Sequence, residues 1–394
     1  MNELYAYQTE LLKSVNKNFI RFLYNNIDWE QQMIGIKGPR GTGKTTLMLQ
    51  HLKYGNHDSS KALYVSVEHP WFLRNTLFET VQEFYRNGGL YLYVDEVHKY
   101  ENWSRELKII YDGFPQLKVV FSASSALEIY KGEADLSRRV LTYELPGLSF
   151  REYIEMVYKL KWDKLSFDQI CNNHYQIAVD ISQKQLIIPL FREYLQFGYL
   201  PISKKIKQSL YPIYLFNTIN TVIEQDLQLS KKLTAPAIHK LRRLLGIISQ
   251  VVPFEPNISS IAKKSGIGRN TVLEFLILLE QARIINFLIR SQYGISALQK
   301  PDKIFMENTN LMYVLDESPN IGTVRETFLL NQLKNSGLKI KYPKTGDFLV
   351  NNTQLIEMGG KNKSNVELPA YIAMDDIEVG FGRTIPLWLF GFLY

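Results

Sequence analysis

Cysteine is nearly absent: Cys171 is the only one in 394 residues. No disulfide can close within one chain, and a metal site built on several thiolates is excluded. A reducing interior is the simplest compartment for such a chain. Long hydrophobic runs are missing too, for no apolar stretch reaches the about 20 residues of a membrane-spanning helix. The segment MNELYAYQTELLKSVNKNF lacks a basic start followed by an apolar core, so no secretory leader is expected there. The segment IPLWLFGFLY is apolar but too short to cross a bilayer, and is expected as a buried terminal strand. The expectation is a soluble, cytoplasmic protein. A strong excess of charge is lacking as well: 46 Lys and Arg face 39 Asp and Glu, a net +7. That balance permits contact with phosphate without announcing a nucleic-acid binder. A hydrophobic fraction of 45% with 22% charged residues rules out wholesale disorder.

At about 150 residues per domain, the length predicts two or three domains. Three zones follow one another. Up to about Leu145, short β-rich runs alternate with helical stretches. The candidate strands are Met33–Lys37, Ala62–Glu68, Leu90–Glu96, Lys118–Ser122 and Val140–Glu144, and the candidate helices include Trp71–Tyr85 and Trp103–Tyr111. That alternation, with continuous apolar strands such as LYLYV, predicts an α/β fold with a parallel sheet covered on both faces. From about Pro146 to Phe287 the apolar spacing is helical, as in SFREYIEMVYKL. From about Leu288 onward, short strands return with Gly and Asn turns, and Lys361–Asn365 reads as one such turn.

The strongest motif is Gly38-Pro39-Arg40-Gly41-Thr42-Gly43-Lys44-Thr45, followed by Thr46. It matches G-x-x-x-x-G-K-[ST] between a candidate strand, MIGIK, and a helical run, TLMLQHLKY. Glycines let backbone N–H groups turn inward onto phosphate oxygens, and the next helix adds its positive end. Lys44 would place a point charge near the β- and γ-phosphates, and Thr45 would offer a hydroxyl to Mg²⁺. The run Leu90–Glu96 ends in two carboxylates. Asp95 would hold Mg²⁺, directly or through water, and Glu96 would orient and polarise the attacking water.

GPRGTGKTT followed by YVDEVHKYENWSRELKIIYD resembles the AAA+-type archaeal ATPases that also occur in bacteria, within the broader P-loop NTPases. The segments LPGLSFREY, FREYLQFGYLP and KIFMENTNLMYVL are similar to the same group, so the likeness spans nearly the whole chain. It implies ATP as the nucleotide, with Mg²⁺. It implies a P-loop core over 1–145, a helical lid over 146–235, a winged helix over 236–290 and an α/β restriction-endonuclease-like domain over 291–394. Ser122, in FSASS, would be a sensor touching the γ-phosphate or the lytic water. Arg139, in LSRRV, with Arg138 beside it, would reach phosphate in the same chain or a neighbouring subunit. His98, just past the acidic pair, is expected to be structural or exposed rather than catalytic.

The run from Ile258 to Glu280 reads as a helix ending at Gly266, a turn, and a second helix from near Asn270. IINFLIR fits a wing. Between Ile258 and Arg290, five basic residues (Lys263, Lys264, Arg269, Arg283, Arg290) face two acids, a balance of +3. Lys263, Lys264 and Arg269 are candidate DNA contacts, and Arg269 and Asn270 are the side chains to test. In the last zone, VRETFLLNQLKN, KTGDFLV and QLIEMGGKNK resemble the endonuclease-like fold. That likeness places Asp347 and Glu357 as the metal-holding acids and Glu326 as a helical acid. Gly359 stands where active members have lysine, and Lys361 lies about 7 Å further along a strand. An inactive domain used for docking is the favoured expectation. The functions expected are thus a Mg²⁺-dependent ATPase driving or timing a conformational switch with an unknown protein partner, or else a nucleotide-switched DNA-binding regulator, or a metal-dependent nuclease.

Overall fold

A computed structural model describes residues 1–123, 136, 138–227, 233–290, 301–359 and 370–394. It divides into two compact units, Met1–Pro146 and Gly147–Tyr394. Ser124 and Ser125 of FSASS, and the expected turn with Lys361, lie outside the described residues.

The first unit is built on five parallel strands: β1 (Met33–Lys37), β2 (Ala62–Ser66), β3 (Tyr91–Asp95), β4 (Lys118–Ala123) and β5 (Leu141–Glu144). Their order is β2-β3-β4-β1-β5. Alternation decides which face each side chain joins. Leu63, Val65, Leu92, Val94, Val119 and Phe121 pack with α3 (Leu77–Arg86) and α4 (Trp103–Gly113). Ile34, Ile36, Tyr64, Tyr93 and Val120 pack with α2 (Lys44–Tyr54). Burial on both faces is why these strands carry apolar residues continuously.

One helix over Trp71–Tyr85 is corrected. The chain makes a 3₁₀ turn at Pro70–Leu73, breaks, and restarts at Leu77. The restart is a capping box: Thr76 accepts from the Glu79 N–H, and Glu79 accepts from the Thr76 N–H.

All five strands point the same way, so the ends of β1, β3 and β4 share one edge. Register places Ile36 beside Ser122, and Val94 beside Phe121. Asp95 therefore closes β3 at the level of Ser122. In open parallel sheets this carboxyl edge is where ligands bind.

In the second unit, helices Phe150–Tyr158, Phe167–Ser182 and Ile187–Phe197 come first, the first two with Ser capping boxes. Tyr211–Thr221 runs on into a π turn at Val222–Asp226. Helices Ala235–Ser249, Ile258–Ser265 and Arg269–Gln281 precede an antiparallel pair, β6 (Ile285–Leu288) and β7 (Lys303–Met306). Gly266, at φ +66°, caps the middle helix as only glycine does cheaply. The MENTNL segment supplies Asn310, fully buried and fully used. Its carbonyl accepts from the Tyr199 N–H and the Tyr211 hydroxyl, and its amide donates to the Tyr194 and Leu195 carbonyls.

A mixed sheet follows, ordered β12-β11-β10-β9-β8: β8 (Ile340–Lys341), β9 (Phe348–Val350), β10 (Gln354–Gly359), β11 (Tyr371–Met374) and β12 (Thr384–Pro386). The expected terminal strand is corrected in part. Only Thr384–Pro386 is extended, and Leu387–Phe392 is a buried 3₁₀ helix.

Candidate active site

The loop Gly38–Gly43 links β1 to α2. Gly41 and Gly43 adopt φ +83° and +95°, a region that penalises a side chain. A Cβ on Gly38 would lie 2.2 Å from the Leu145 carbonyl oxygen, so only glycine allows this approach to β5's end. Gly43 is the N-cap of α2, and the amides of that helix's first turn have no helical carbonyl to meet. Thr42 closes the loop on itself, its hydroxyl donating to the Pro39 carbonyl at 2.9 Å.

Lys44 opens α2 and is buried, at 5% exposure. Its ammonium donates to the Gly38 and Pro39 carbonyls, both at 2.9 Å. These two contacts hold the charge at the loop. Thr45 directs its hydroxyl to Asp95 Oδ2 at 2.6 Å. Asp95 is buried and also accepts from the Tyr64 hydroxyl, at 2.7 Å, and from the Ser122 hydroxyl. Three hydroxyls from α2, β2 and β4 therefore converge on one carboxylate. Tyr64 responds to the same charge: burial and Asp95 push its phenol far above its ordinary range.

Glu96 follows in a left-handed backbone conformation, φ +57°, with its N–H donating to Ser122 Oγ at 3.1 Å. Such strain in a non-glycine residue persists only where its surroundings enforce it. Burial pushes the Glu96 carboxyl above the usual carboxylate range, opposed by the Lys44 ammonium. Lys99 Nζ stands 3.8 Å from Glu96 and pairs with Glu68. His98 Nε2 stands 3.7 Å from Glu96, but burial, with Lys44, Lys99 and Arg40 nearby, holds the imidazole down to about 3. His98 is therefore neutral and acts as a structural neighbour.

His51, in α2, is likewise held down to about 3 by burial. Both imidazoles refuse a proton that the unfolded chain accepts below the ordinary value of 6.5. Between 6.5 and about 3, stability falls as pH falls, by about 1.4 kcal/mol per pH unit for each imidazole. Denaturant titrations at pH 7, 6 and 5 check this. His51→Gln and His98→Gln should each flatten the slope, and an unchanged slope in both would contradict it.

Sequence reading missed two residues. Arg21, buried before β1, donates to the Thr42 carbonyl at 2.5 Å and to the Pro146 carbonyl at 2.8 Å, bracing the loop from behind. Tyr64 orients Asp95. No spacing rule links either to the motif, because both act across the fold.

Arg139 is not brought to the loop. It precedes β5, which runs parallel to β1, so it sits at the opposite edge of the sheet. There its Nε and a terminal nitrogen grip both oxygens of Asp112, at 2.9 and 3.0 Å, at the end of α4. Its reading as a group acting on phosphate in its own chain is corrected by that placement. Arg138 is exposed beside it.

Lys263, Lys264, Arg269 and Asn270 are exposed, while Val272, Phe275 and Leu279 turn the following helix inward. In the C-terminal sheet, Asp347 and Glu357 fall at neighbouring register positions, one step beyond Phe348 and Ile356. The Asp347 carboxylate is engaged by the Met358 N–H at 2.7 Å, and Glu326 by Lys303 at 2.6 Å. Among the described residues no group of three or more His, Cys, Asp or Glu side chains is placed to hold a metal. Gly359 closes β10, and Lys361 lies outside the described residues.

A glycine loop between β1 and a helix, a lysine within it, and a carboxylate pair ending a nearby parallel strand define a P-loop nucleoside-triphosphate hydrolase, and the first unit is one. Residues 30–154 match a family described as an AAA domain. Residues 188–320 match a family described as a domain of unknown function (DUF8612). The chain is similar to an uncharacterized protein of Methanocaldococcus jannaschii, 23% identical over 268 residues, covering 65% of this chain and 56% of that protein. It thus spans about half the length of that relative. Among solved structures, it is similar to a Walker-type ATPase of Pyrococcus abyssi (TM-score 0.42, 9% identity, 73% of this chain and 91% of that one). It is also similar to a RuvB variant of Thermotoga maritima (TM-score 0.33, 13% identity, 75% and 93%). No helix among the described residues is long and apolar enough to cross a membrane.

Proposed function

We propose that the chain is a Mg²⁺-dependent ATPase whose hydrolysis drives or times a conformational change in the Gly147–Tyr394 unit. The observation that carries this reading is the convergence of Thr45, Ser122 and Tyr64 on Asp95. The Thr45 hydroxyl and the Asp95 carboxylate are hard oxygen donors 2.6 Å apart, the kind Mg²⁺ prefers. They would hold the ion, which when bound would offset charge on the β- and γ-phosphate oxygens.

The triphosphate would lie against the amides of Gly41–Thr46, with Lys44 exchanging the carbonyls of Gly38 and Pro39 for phosphate oxygen. Glu96, adjoining the Asp95 carboxylate and fixed through its N–H by Ser122, would accept a proton from the water attacking in line. Ser122 ties Asp95 to Glu96, which supports its reading as the sensor.

Chelation by EDTA is expected to abolish ATP hydrolysis, and added Mg²⁺ to restore it. Asp95→Asn should lower turnover by about 10- to 100-fold. Undiminished hydrolysis in EDTA would contradict the proposal.

A second reading is DNA contact through Lys263, Lys264 and Arg269. Their shared exposure around the Gly266 turn, in a three-helix and two-strand arrangement of winged-helix order, supports it. Affinity for duplex DNA should then fall steeply with salt, and absence of binding at low salt would remove it.

A further inference from the structure

The first unit carries a second concavity, at the opposite end of the sheet from the phosphate loop. It is an open cavity of about 250 Å³ lined chiefly by rings: Tyr24, Trp29, His51, Tyr54, His57 and Tyr91. The separation follows from geometry. Tyr54 lies ten residues along α2 from Lys44, roughly 15 Å at the helical rise. Tyr91 opens β3, which Asp95 closes, roughly 13 Å apart.

The rings are braced in pairs. Trp29 stacks on His51 with centroids 3.7 Å apart and planes within 8°. His57 packs on Tyr91 at 4.4 Å. The Tyr93 hydroxyl fixes His51 Nδ1 at 2.7 Å from within the sheet, and the Trp29 indole N–H donates to the Tyr24 carbonyl at 2.9 Å. These rings are thus held as platforms rather than collapsed into the space they border. Trp29, Tyr54 and Tyr91 stay partly exposed, although each could bury further area by closing it. Polar edges from Asn56 and Glu30 also line the cavity. Two cations lie against these rings: Lys17 Nζ is 4.7 Å from the Tyr54 ring centre, and Lys118 Nζ, which pairs with Glu30, is 5.7 Å from that of Tyr91. Burial disfavours the charged form of both lining imidazoles, His51 and His57.

We propose that this cavity binds a nucleobase, flat against its aromatic lining, with its polar edge toward Asn56 and its sugar-phosphate side toward Lys17. The volume lies below the ~300 Å³ at which pockets begin to hold drug-sized ligands, which fits one heterocycle and not a larger molecule. Stacking on aromatic rings tolerates any base. The Asn56 edge and the Lys17 ammonium favour a base over the aromatic side chain of a peptide. The base would come from a free nucleoside or from an unstacked position of a single strand, and the inference does not depend on ATP occupying the loop.

Calorimetric titration of the full chain with adenosine and with a single-stranded oligodeoxyadenylate tests it, each with and without a non-hydrolysable ATP analogue and Mg²⁺. Binding that persists in the presence of the analogue supports a separate base site. Adenosine binding marks a free nucleoside as sufficient, and binding of the strand alone marks a strand. Tyr91→Ala should weaken binding about tenfold or more. Tyr91→Leu, which keeps apolar volume for folding but removes the π face, should do the same. Either of two results would overturn the proposal: no binding of either probe, or native affinity in both variants. Binding of N-acetyl-tryptophanamide in place of both nucleobase probes would overturn it too.

Discussion

Lys44→Ala is expected to weaken ATP binding by about 100-fold or more, equivalent to about 2.7 kcal/mol. The ammonium is buried and already in the loop, held by the Gly38 and Pro39 carbonyls. Little must be reorganised when it turns to a phosphate oxygen, so little of the attraction is spent on ordering the side chain. Its removal also withdraws the positive charge that opposes proton uptake by Glu96. The variant should therefore be deficient in hydrolysis even at saturating ATP. Equal calorimetric heats for the two proteins, with matching circular dichroism, would contradict the assignment. Thr45 and Asp95 sit on other atoms of the same site, so their variants should not reproduce this pattern of lost affinity.

Glu96→Gln is expected to keep ATP binding near the native level and to lower turnover by about 10²- to 10⁴-fold, the range for loss of a positioned general base. The amide matches the carboxylate in size but cannot accept the water's proton. Binding should survive because the loop carbonyls that hold Lys44, and the Asp95 contact of Thr45, remain in place. The backbone there is fixed by the Ser122 contact and the φ of +57°, which glutamine adopts at similar cost. Single-turnover kinetics separate chemistry from product release. Native turnover in the variant would strip Glu96 of its role.

The phosphate loop was legible because its requirements are local. Glycines at Gly41 and Gly43 answer to backbone geometry, and the apolar strand before the loop and the helix after it appear in consecutive residues. The five strands of the first sheet were legible to within about two residues, since burial on both faces demands uninterrupted apolar runs. Arg21 and Tyr64 were not legible: their partners, Thr42 and Asp95, lie 21 and 31 residues away, and only the folded sheet joins them. Arg139 was misplaced for a reason the sequence did contain. A residue just before a strand parallel to β1 must lie at the edge opposite the loop. The break at Arg74–Thr76 also left a signal, the Thr76-x-x-Glu79 capping box. Leu387–Phe392 gave no such signal, because a short apolar run reads alike as strand or helix. The aromatic cavity was invisible for a related reason: its rings come from the segment before β1, the end of α2 and the start of β3.

The central claim is that Gly38–Thr45 cradles a triphosphate. A crystal structure of the full chain with a non-hydrolysable ATP analogue and Mg²⁺ tests it most directly. The account predicts phosphate oxygens against the amides of Gly41–Thr45, with Lys44 Nζ moved from the Gly38 and Pro39 carbonyls onto them. Nucleotide bound elsewhere, with Lys44 still on those carbonyls, would contradict it.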